Sequence, residues 1–192
     1  QSAVERPEGL NVDDDRFIKG RLHGAKGLAI YQLMSRLRSS RAAVVEHLLG
    51  TTESAQRFQL EERIKTEDTG NVLKTLEEFS GQVKPSSLAE KLPVWLTNPD
   101  EHRKAVFEEL EIYKRILELI DGISDNREQN KAEQLSNLLK THSLLLAFDS
   151  CLISLEVIKQ LIHQQNAGCN VIVATGSQAK SKKEVNKLFA LG

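Results

Sequence analysis

The chain has 192 residues, a formal net charge of −1 at pH 7 and a sequence pI of about 6.6. This balance excludes nucleic-acid binding through a positive field of the whole protein, so any such contact must be a local basic patch. Apolar residues make up 40% of the chain but aromatic residues only 5%, and the aliphatic side chains that remain favour helices.

No apolar run reaches the roughly 18 to 20 residues that are needed to span a bilayer. We therefore expect an intracellular, cytoplasmic chain without membrane contact, nucleoid-associated if it is bacterial. The two cysteines, Cys151 and Cys169, have neither CxxC spacing nor a histidine pattern beside them. Buried thiols in a reducing compartment are favoured over a disulfide or a metal site.

Residues 1–25 combine a proline and several glycines with many charges, which predicts an irregular leader with one short helix around 16–22. The acidic run 13–15 is interpreted as a solvated charge cluster. A helicase DExx box would need a buried apolar strand immediately before it, and here only Asn11 and Val12 stand between the run and the leader. A start at Gln1 rather than Met is expected of an excised piece of a longer protein, and processing of the chain would give the same start.

Residues 26–140 are predicted to form a helical bundle. Apolar residues recur at spacings of three and four, and glycine, proline or Asx residues separate the periodic stretches. Asn98, followed by Pro99 and two carboxylates, predicts an especially clear helix start. The expected helices cover 26–49, 54–65, 70–79, 99–120 and 126–140, and a further short helix starts after the break at Pro85 and is closed by Pro93.

Residues 141–192 show a different pattern. SLLLAF and NVIVAT are short, almost purely apolar runs that predict two parallel strands, at 143–148 and 171–175, with an amphipathic helix between them and another after them. The expected fold class is therefore mostly α with a C-terminal βαβα piece. Because two parallel strands cannot form a covered sheet alone, we expect an incomplete α/β lobe with an exposed apolar edge that invites self-association.

A phosphate loop is considered and rejected. Gly176 and Lys182 have the Walker A offset, but Ser181 replaces the second glycine and Lys183 replaces the magnesium-binding hydroxyl. No zinc motif or nucleophile elbow occurs, so no catalytic residue and no metal ligand is predicted.

Candidate contacts to nucleic acid come from the ends of the predicted strands, from a basic patch of lysines that follows the second strand, and from a basic cluster in the first helix. Ordinary turn and cap residues remain an open alternative for the strand ends and the lysine patch, and a solvated basic face remains one for the arginines. The candidates are Thr175, Gly176, Lys180, Lys182, Lys183, Arg36, Arg38 and Arg41.

The order of three segments resembles the start of the second RecA-like lobe of superfamily-two helicases, nearest to the Swi/Snf-like ATPase branch. The segments are KAEQLSNLLKTHSLLLAFDSCLISLEVIKQLI, NVIVATG and KKEVNKLFALG. The upstream LMSRLRSSRAAVVEHLL is similar to the helix that leaves the first lobe. The positions that match the family pattern are Asn130, Lys131, Phe148, Asp149, Thr175, Gly176, Lys183 and Phe189.

This resemblance implies that residues 26–140 are an inter-lobe region and that 141–192 begin a RecA-like lobe. The parent protein would be a helicase or translocase that hydrolyses ATP with magnesium, using a Walker A lysine and DExx carboxylates before this chain and an arginine finger after it. The chain itself would need no cofactor and would couple lobe motion to nucleic acid, with DNA favoured over RNA. Its other partners would be the missing lobes.

Two alternatives carry different expectations. A non-enzymatic helical scaffold would bind a protein partner and would complete any sheet from its own segments. A small nucleotide-dependent enzyme would bind magnesium ATP as an isolated chain.

Overall fold

A computed structural model of the chain describes residues 5–7, 9–61, 68–175, 183, 185–187 and 190. Of these residues, 66% are helical. Two short 3₁₀ helices, Ala89–Lys91 and Val94–Leu96, accompany the α-helices. The α-helices of the described ranges are α1 (Asp14–Ser39), α2 (Arg41–Leu49), α3 (Thr51–Arg57), α4 (Val72–Glu78), α5 (Pro99–Asp121), α6 (Asn126–Leu139) and α7 (Leu152–Gln165).

The chain divides into two compact units that alternate along the sequence. The first unit contains 1–35 and 72–119, and the second contains 36–71 and 120–192. Two of the three boundaries fall inside helices, at 35/36 in α1 and at 119/120 in α5, and the third, at 71/72, immediately precedes α4.

The predicted irregular leader is wrong from Asp14 onward, because α1 begins there and runs unbroken to Ser39. Gly20, Gly24 and Gly27 lie within this helix, and a β-carbon built on any of them would meet no atom within 4 Å. Glycine weakens a helix by roughly 1 kcal/mol without forcing it to end. The glycines therefore mark an exposed helical stretch and not a loop.

The single helix predicted for 26–49 is divided at Ser40. This residue is extended, with φ −163° and ψ 167°, and its hydroxyl accepts a hydrogen bond from the Ala43 amide. Serine is a preferred N-cap because its side chain replaces the missing intrahelical acceptor. The chain therefore ends α1, changes direction and starts α2 within one residue.

In the first unit, α5 begins as the sequence predicts. The side-chain oxygen of Asn98 accepts hydrogen bonds from the amides of Asp100 and Glu101 at 2.9 and 3.2 Å. One turn further, buried His102 accepts a hydrogen bond from the Gly81 amide at 3.0 Å and lies against the ring of Trp95. These contacts fix the entry to α5 within this unit.

In the second unit, α2 packs against α3 and α7, and α7 also packs against α6. Small side chains allow this close approach: Ala42 and Ala43 of α2 are fully buried beside Ile153 of α7. The Ser54 hydroxyl of α3 donates a hydrogen bond to the Ala42 carbonyl at 2.8 Å. The core of this unit is thus a helix–helix interface.

The expected C-terminal βαβα piece is absent. The helix between the two apolar runs is α7, but no strand occurs in the residues that the structure describes, and 143–148 and 171–175 form no ladder. The prediction of two parallel strands from these apolar runs is therefore wrong, and Phe148 is 90% exposed instead of lying in a covered sheet.

None of the described helices is both long enough and apolar enough to cross a bilayer. Both thiols are free, with Cys151 buried and Cys169 half-buried.

Candidate functional site

A groove of about 410 Å³ in the second unit brings together residues from five parts of its sequence. They come from the end of α1, from α2, from the segment before α4, and from the segments on either side of α7. The lining residues are Arg36, Glu46, His47, Thr69, Gly70, Ser150, Cys151, Leu152 and Thr175.

Two of the predicted nucleic-acid contacts, Arg36 and Thr175, lie in this groove. They were selected for different reasons, Arg36 as part of a basic cluster and Thr175 as the end of an apolar run. Ser150, which follows the other apolar run, lies there as well. The two segments therefore converge at their carboxyl ends although they do not pair as strands.

Buried hydroxyl groups hold the helix ends that form the groove. The Ser154 hydroxyl of α7 lies 2.6 Å from both Ser39 and Ser40 hydroxyls, and all three residues are buried. The Ser39 hydroxyl also donates to the carboxylate of Asp149, and Lys131 of α6 donates to the Ser39 carbonyl at 2.8 Å. This network fixes the end of α1 against the start of α7.

The start of α7 supplies the central part of the groove. The Asp149 carboxylate accepts a hydrogen bond from the Cys151 amide at 2.8 Å, and the guanidinium of Arg36 donates to the Cys151 sulfur at 3.0 Å. In the described part of the chain, the Leu152 amide has no acceptor. Helix N-termini favour anions because their first amides point outward without intrahelical partners.

The opposite wall is formed by α2 and the segment that follows α3. Burial lowers the pKa of His47 below its ordinary value, and the positive charge of Arg36 lowers this pKa further, while Glu46 opposes the shift. His47 is therefore neutral near pH 7. The buried carboxylate of Glu46 accepts a hydrogen bond from the Thr51 hydroxyl at 2.8 Å.

The other sequence candidates lie elsewhere. Arg38 is exposed near the end of α1. Arg41 is held by its own unit: its guanidinium donates to the Ile123 carbonyl at 2.6 Å and lies 5.6 Å from the centre of the Phe58 ring. Lys183 is exposed and helical. Gly176, Lys180 and Lys182 lie outside the described residues.

The groove suits one anionic group more than an extended run of phosphates. It offers a guanidinium, serine and threonine hydroxyls and a helix N-terminus, but Glu46 and Asp149 offset the positive charge. No group of three or more His, Cys, Asp and Glu side chains that could hold a metal ion occurs within the described ranges. The arrangement provides binding contacts for such a group.

Sequence reasoning missed the α2 side of the groove. His47 belongs to no motif, and Gly70 looks like any turn glycine; only packing places them beside Arg36. A smaller pocket of about 260 Å³ lies between Glu61 and the last turns of α7, and it contains none of the predicted residues.

Comparisons with protein-family models, with curated proteins and with solved structures find no match for this chain.

Proposed function

We propose that this chain is the nucleic-acid-contacting part of an ATP-dependent helicase or translocase and that it hydrolyses no ATP itself. One observation carries the proposal: Arg36 and Thr175, chosen independently as nucleic-acid contacts, line the same groove beside the start of α7. The order of the three segments that resemble superfamily-two helicases supports the class. ATP and magnesium act elsewhere in the parent protein.

A phosphate of the nucleic-acid backbone would bind the Arg36 guanidinium and the outward-facing Leu152 amide, with the Ser150 hydroxyl as a further donor. Such contacts are independent of base sequence, which suits a protein that moves along its substrate. Helix α7 is anchored to α1 through buried hydroxyls. A displacement of the bound phosphate would therefore be passed to two helices together.

The test measures fluorescence anisotropy of labelled DNA and RNA oligonucleotides at increasing salt. Wild-type protein is expected to bind with a salt-dependent affinity, DNA more tightly than RNA. Removing one phosphate contact by Arg36→Ala should reduce the slope of log affinity against log salt by about one. Ser150→Glu, which places a negative charge at the exposed rim of the groove, should weaken binding without removing a buried side chain.

Arg38→Ala is the matched control, because it removes the same charge two residues away but lies outside the groove. Equal losses from Arg36→Ala and Arg38→Ala would assign binding to a general basic face and not to the groove. Oligonucleotide affinity that is absent, or unchanged in both groove variants, would contradict the proposal. Circular dichroism of each variant checks that the helices are intact.

A helical scaffold is the second candidate, and α1 favours it. Ile30, Tyr31 and Met34 lie on one side of this helix and are 54%, 66% and 43% exposed. An apolar face of this kind commonly receives a partner helix. Wild-type protein that leaves the anisotropy of every oligonucleotide unchanged would favour the scaffold.

Calorimetric titration with magnesium ATP separates both candidates from a small nucleotide-dependent enzyme. We expect no heat of binding, because the nucleotide site of the proposed parent protein lies in other segments. Clear ATP affinity of this chain would contradict that assignment.

A further inference from the structure

The part of α1 that belongs to the first unit has a one-sided charge. Residues 16–35 contain four lysine and arginine side chains and no aspartate or glutamate, although the whole chain has a net charge of −1. The acidic run 13–15 ends immediately before this stretch. All four basic side chains are exposed, and in the described part of the chain none of them forms an ion pair. They are Arg16, Lys19, Arg21 and Lys26.

Three of these cations and one histidine form a row along α1, which we call the basic row. The basic row consists of Arg16, Lys19, His23 and Lys26, all exposed. Its members are separated by three or four residues, so they follow one face of the helix. Ile18 lies on another side of α1 and is 4% exposed. One side of this helix is therefore packed, while the basic row faces solvent.

Glycines run along α1 beside the basic row. A glycine directly follows each of the last three members of the row in the sequence; they are Gly20, Gly24 and Gly27. A β-carbon built on any of the three would meet no atom within 4 Å, so packing around these positions does not require glycine. Glycine also weakens a helix. What the three glycines provide is bare backbone beside the cations, where a partner can approach the helix closely.

We propose that this face of α1, the basic row with the glycines beside it, binds the sugar–phosphate backbone of a nucleic acid. The row spans about 15 Å along the helix axis, because each of its ten residue steps rises about 1.5 Å. One strand of a duplex carries a phosphate about every 3.4 Å along its axis, so about four phosphates lie within this length. Contacts to them are independent of base sequence.

A nucleic acid matches this face better than a membrane surface or an acidic protein does. A helix that lies on a membrane inserts bulky apolar side chains beside its cations, whereas glycines occupy those positions here. An acidic protein presents carboxylates at separate positions and not in a continuous series. The evenly spaced phosphates of one strand match a row of cations that has no acidic residue within it.

This surface goes beyond the proposed function, because it lies in the first unit and includes none of the groove residues. Fluorescence anisotropy of a labelled DNA oligonucleotide tests it. Lys26→Ala should weaken binding about three- to tenfold at low salt and reduce the slope of log affinity against log salt by about one. Arg21→Ala is the matched control. Arg21 is exposed on the same helix but lies outside the row, nearly opposite Lys19, so its loss should change affinity less than about twofold.

Gly24→Leu gives a result that a loss of folding cannot imitate. Leucine is a better helix former than glycine, and the space around Gly24 is open, so this variant should unfold at a higher temperature than the wild type. It should nevertheless lose oligonucleotide affinity, because the new side chain keeps the phosphates away from the helix backbone. Thermal denaturation and anisotropy of the same sample measure both effects.

The proposal is overturned if Lys26→Ala binds like the wild type, if Arg21→Ala weakens binding equally, or if Gly24→Leu binds as tightly as the wild type. Wild-type protein that binds no oligonucleotide also overturns it, and phosphatidylserine vesicles and polyglutamate then test the other two partners. A loss of affinity in Arg36→Ala without a loss in Lys26→Ala would retain the groove and reject this surface. The reverse result would support this surface alone.

Discussion

Gly70 lies directly against the backbone of Glu46: a β-carbon built on Gly70 would be 2.1 Å from the Glu46 carbonyl oxygen. The φ angle of Gly70 is +93°, in the region that residues with a β-carbon rarely adopt. Gly70 combines the close contact with Glu46 and the positive φ angle, and it forms part of a wall of the groove. The approach of the segment before α4 to α2 therefore depends on the absence of a side chain at this position.

Gly70→Ala should lower the free energy of unfolding by about 3 kcal/mol or more, because the backbone must change its φ angle and also move away from Glu46. Chemical denaturation measures the change. Gly20→Ala is the control: Gly20 is in a helix with open space around it, and alanine there should stabilise the protein by up to about 1 kcal/mol. A Gly70 variant as stable as the wild type would refute the close approach.

The hydroxyl network predicts coupling between α2 and α7. Ser40→Ala removes the cap of the Ala43 amide and one hydrogen bond to Ser154, which should cost about 1 to 3 kcal/mol. Ser154→Ala removes the same shared hydrogen bond. The double variant should therefore cost less than the sum, by about 0.5 to 1.5 kcal/mol.

Urea unfolding of the four proteins in this cycle gives the coupling energy. Ser136→Ala provides the comparison, because the Ser136 hydroxyl forms only a 3.4 Å surface hydrogen bond to Gln165 and its loss should cost less than about 0.5 kcal/mol. Strict additivity of Ser40→Ala and Ser154→Ala would contradict the hydrogen bond between them.

Local signals allowed α5 to be predicted almost to the residue, because the Asn98 cap and the periodic apolar face both act within one helix. The break at Ser40 was missed, since a serine inside a periodic stretch becomes a cap only when the chain must turn there. The α1 glycines were misinterpreted for the opposite reason, because an exposed helix tolerates them. Capping and propensity are local, whereas the need for a turn is set by packing.

The apolar runs at 143–148 and 171–175 show a second limit of sequence reasoning. Composition specifies a preference for extended backbone, but a strand also needs hydrogen-bonding partners, which no single segment contains. Only part of the candidate site could be predicted from the sequence, for a similar reason. Charge and strand ends identified Arg36 and Thr175, while His47 and Gly70 became visible only through the packing of α2.

Substitution of the buried Glu128 should lower the stability of the protein. One carboxylate oxygen of this buried residue accepts a hydrogen bond from the Arg41 amide at 2.9 Å, which satisfies the first turn of α2. Its other oxygen, buried, has no partner in the described part of the chain. Glu128→Ala should cost about 2 to 4 kcal/mol, because it leaves a helix-start amide unpaired and opens a cavity.

Glu128→Gln should cost less than Glu128→Ala, because the amide oxygen still accepts from Arg41 while the negative charge at the start of α2 is lost. Glu133→Ala, an exposed carboxylate on the same helix, should change stability by less than about 0.5 kcal/mol. Thermal denaturation ranks the three variants. Equal losses for alanine and glutamine would show that the charge, and not the hydrogen bond, matters at Glu128.

The lowered pKa of His47 makes the second unit sensitive to acid. Burial and Arg36 disfavour the charged imidazole in the folded state, so the unfolded chain takes up a proton first as the pH falls. His47 therefore contributes full stability above the unfolded pKa of about 6.5 and loses it between that value and the lower folded pKa. Below the folded pKa no further loss arises from this residue.

His47→Gln, which cannot be protonated, should unfold with a smaller decrease in free energy between pH 7 and pH 5 than the wild type. The other histidines are present in both proteins, so the difference between the two curves isolates His47.

An NMR titration of the His47 imidazole tests whether an anion binds in the groove. A bound phosphate would oppose the effect of Arg36, so inorganic phosphate should raise the pKa of His47, and Arg36→Ala should raise it in the absence of phosphate. Curves for wild type and His47→Gln that run parallel would contradict the lowered pKa, and a His47 titration that does not respond to phosphate would place the anion elsewhere.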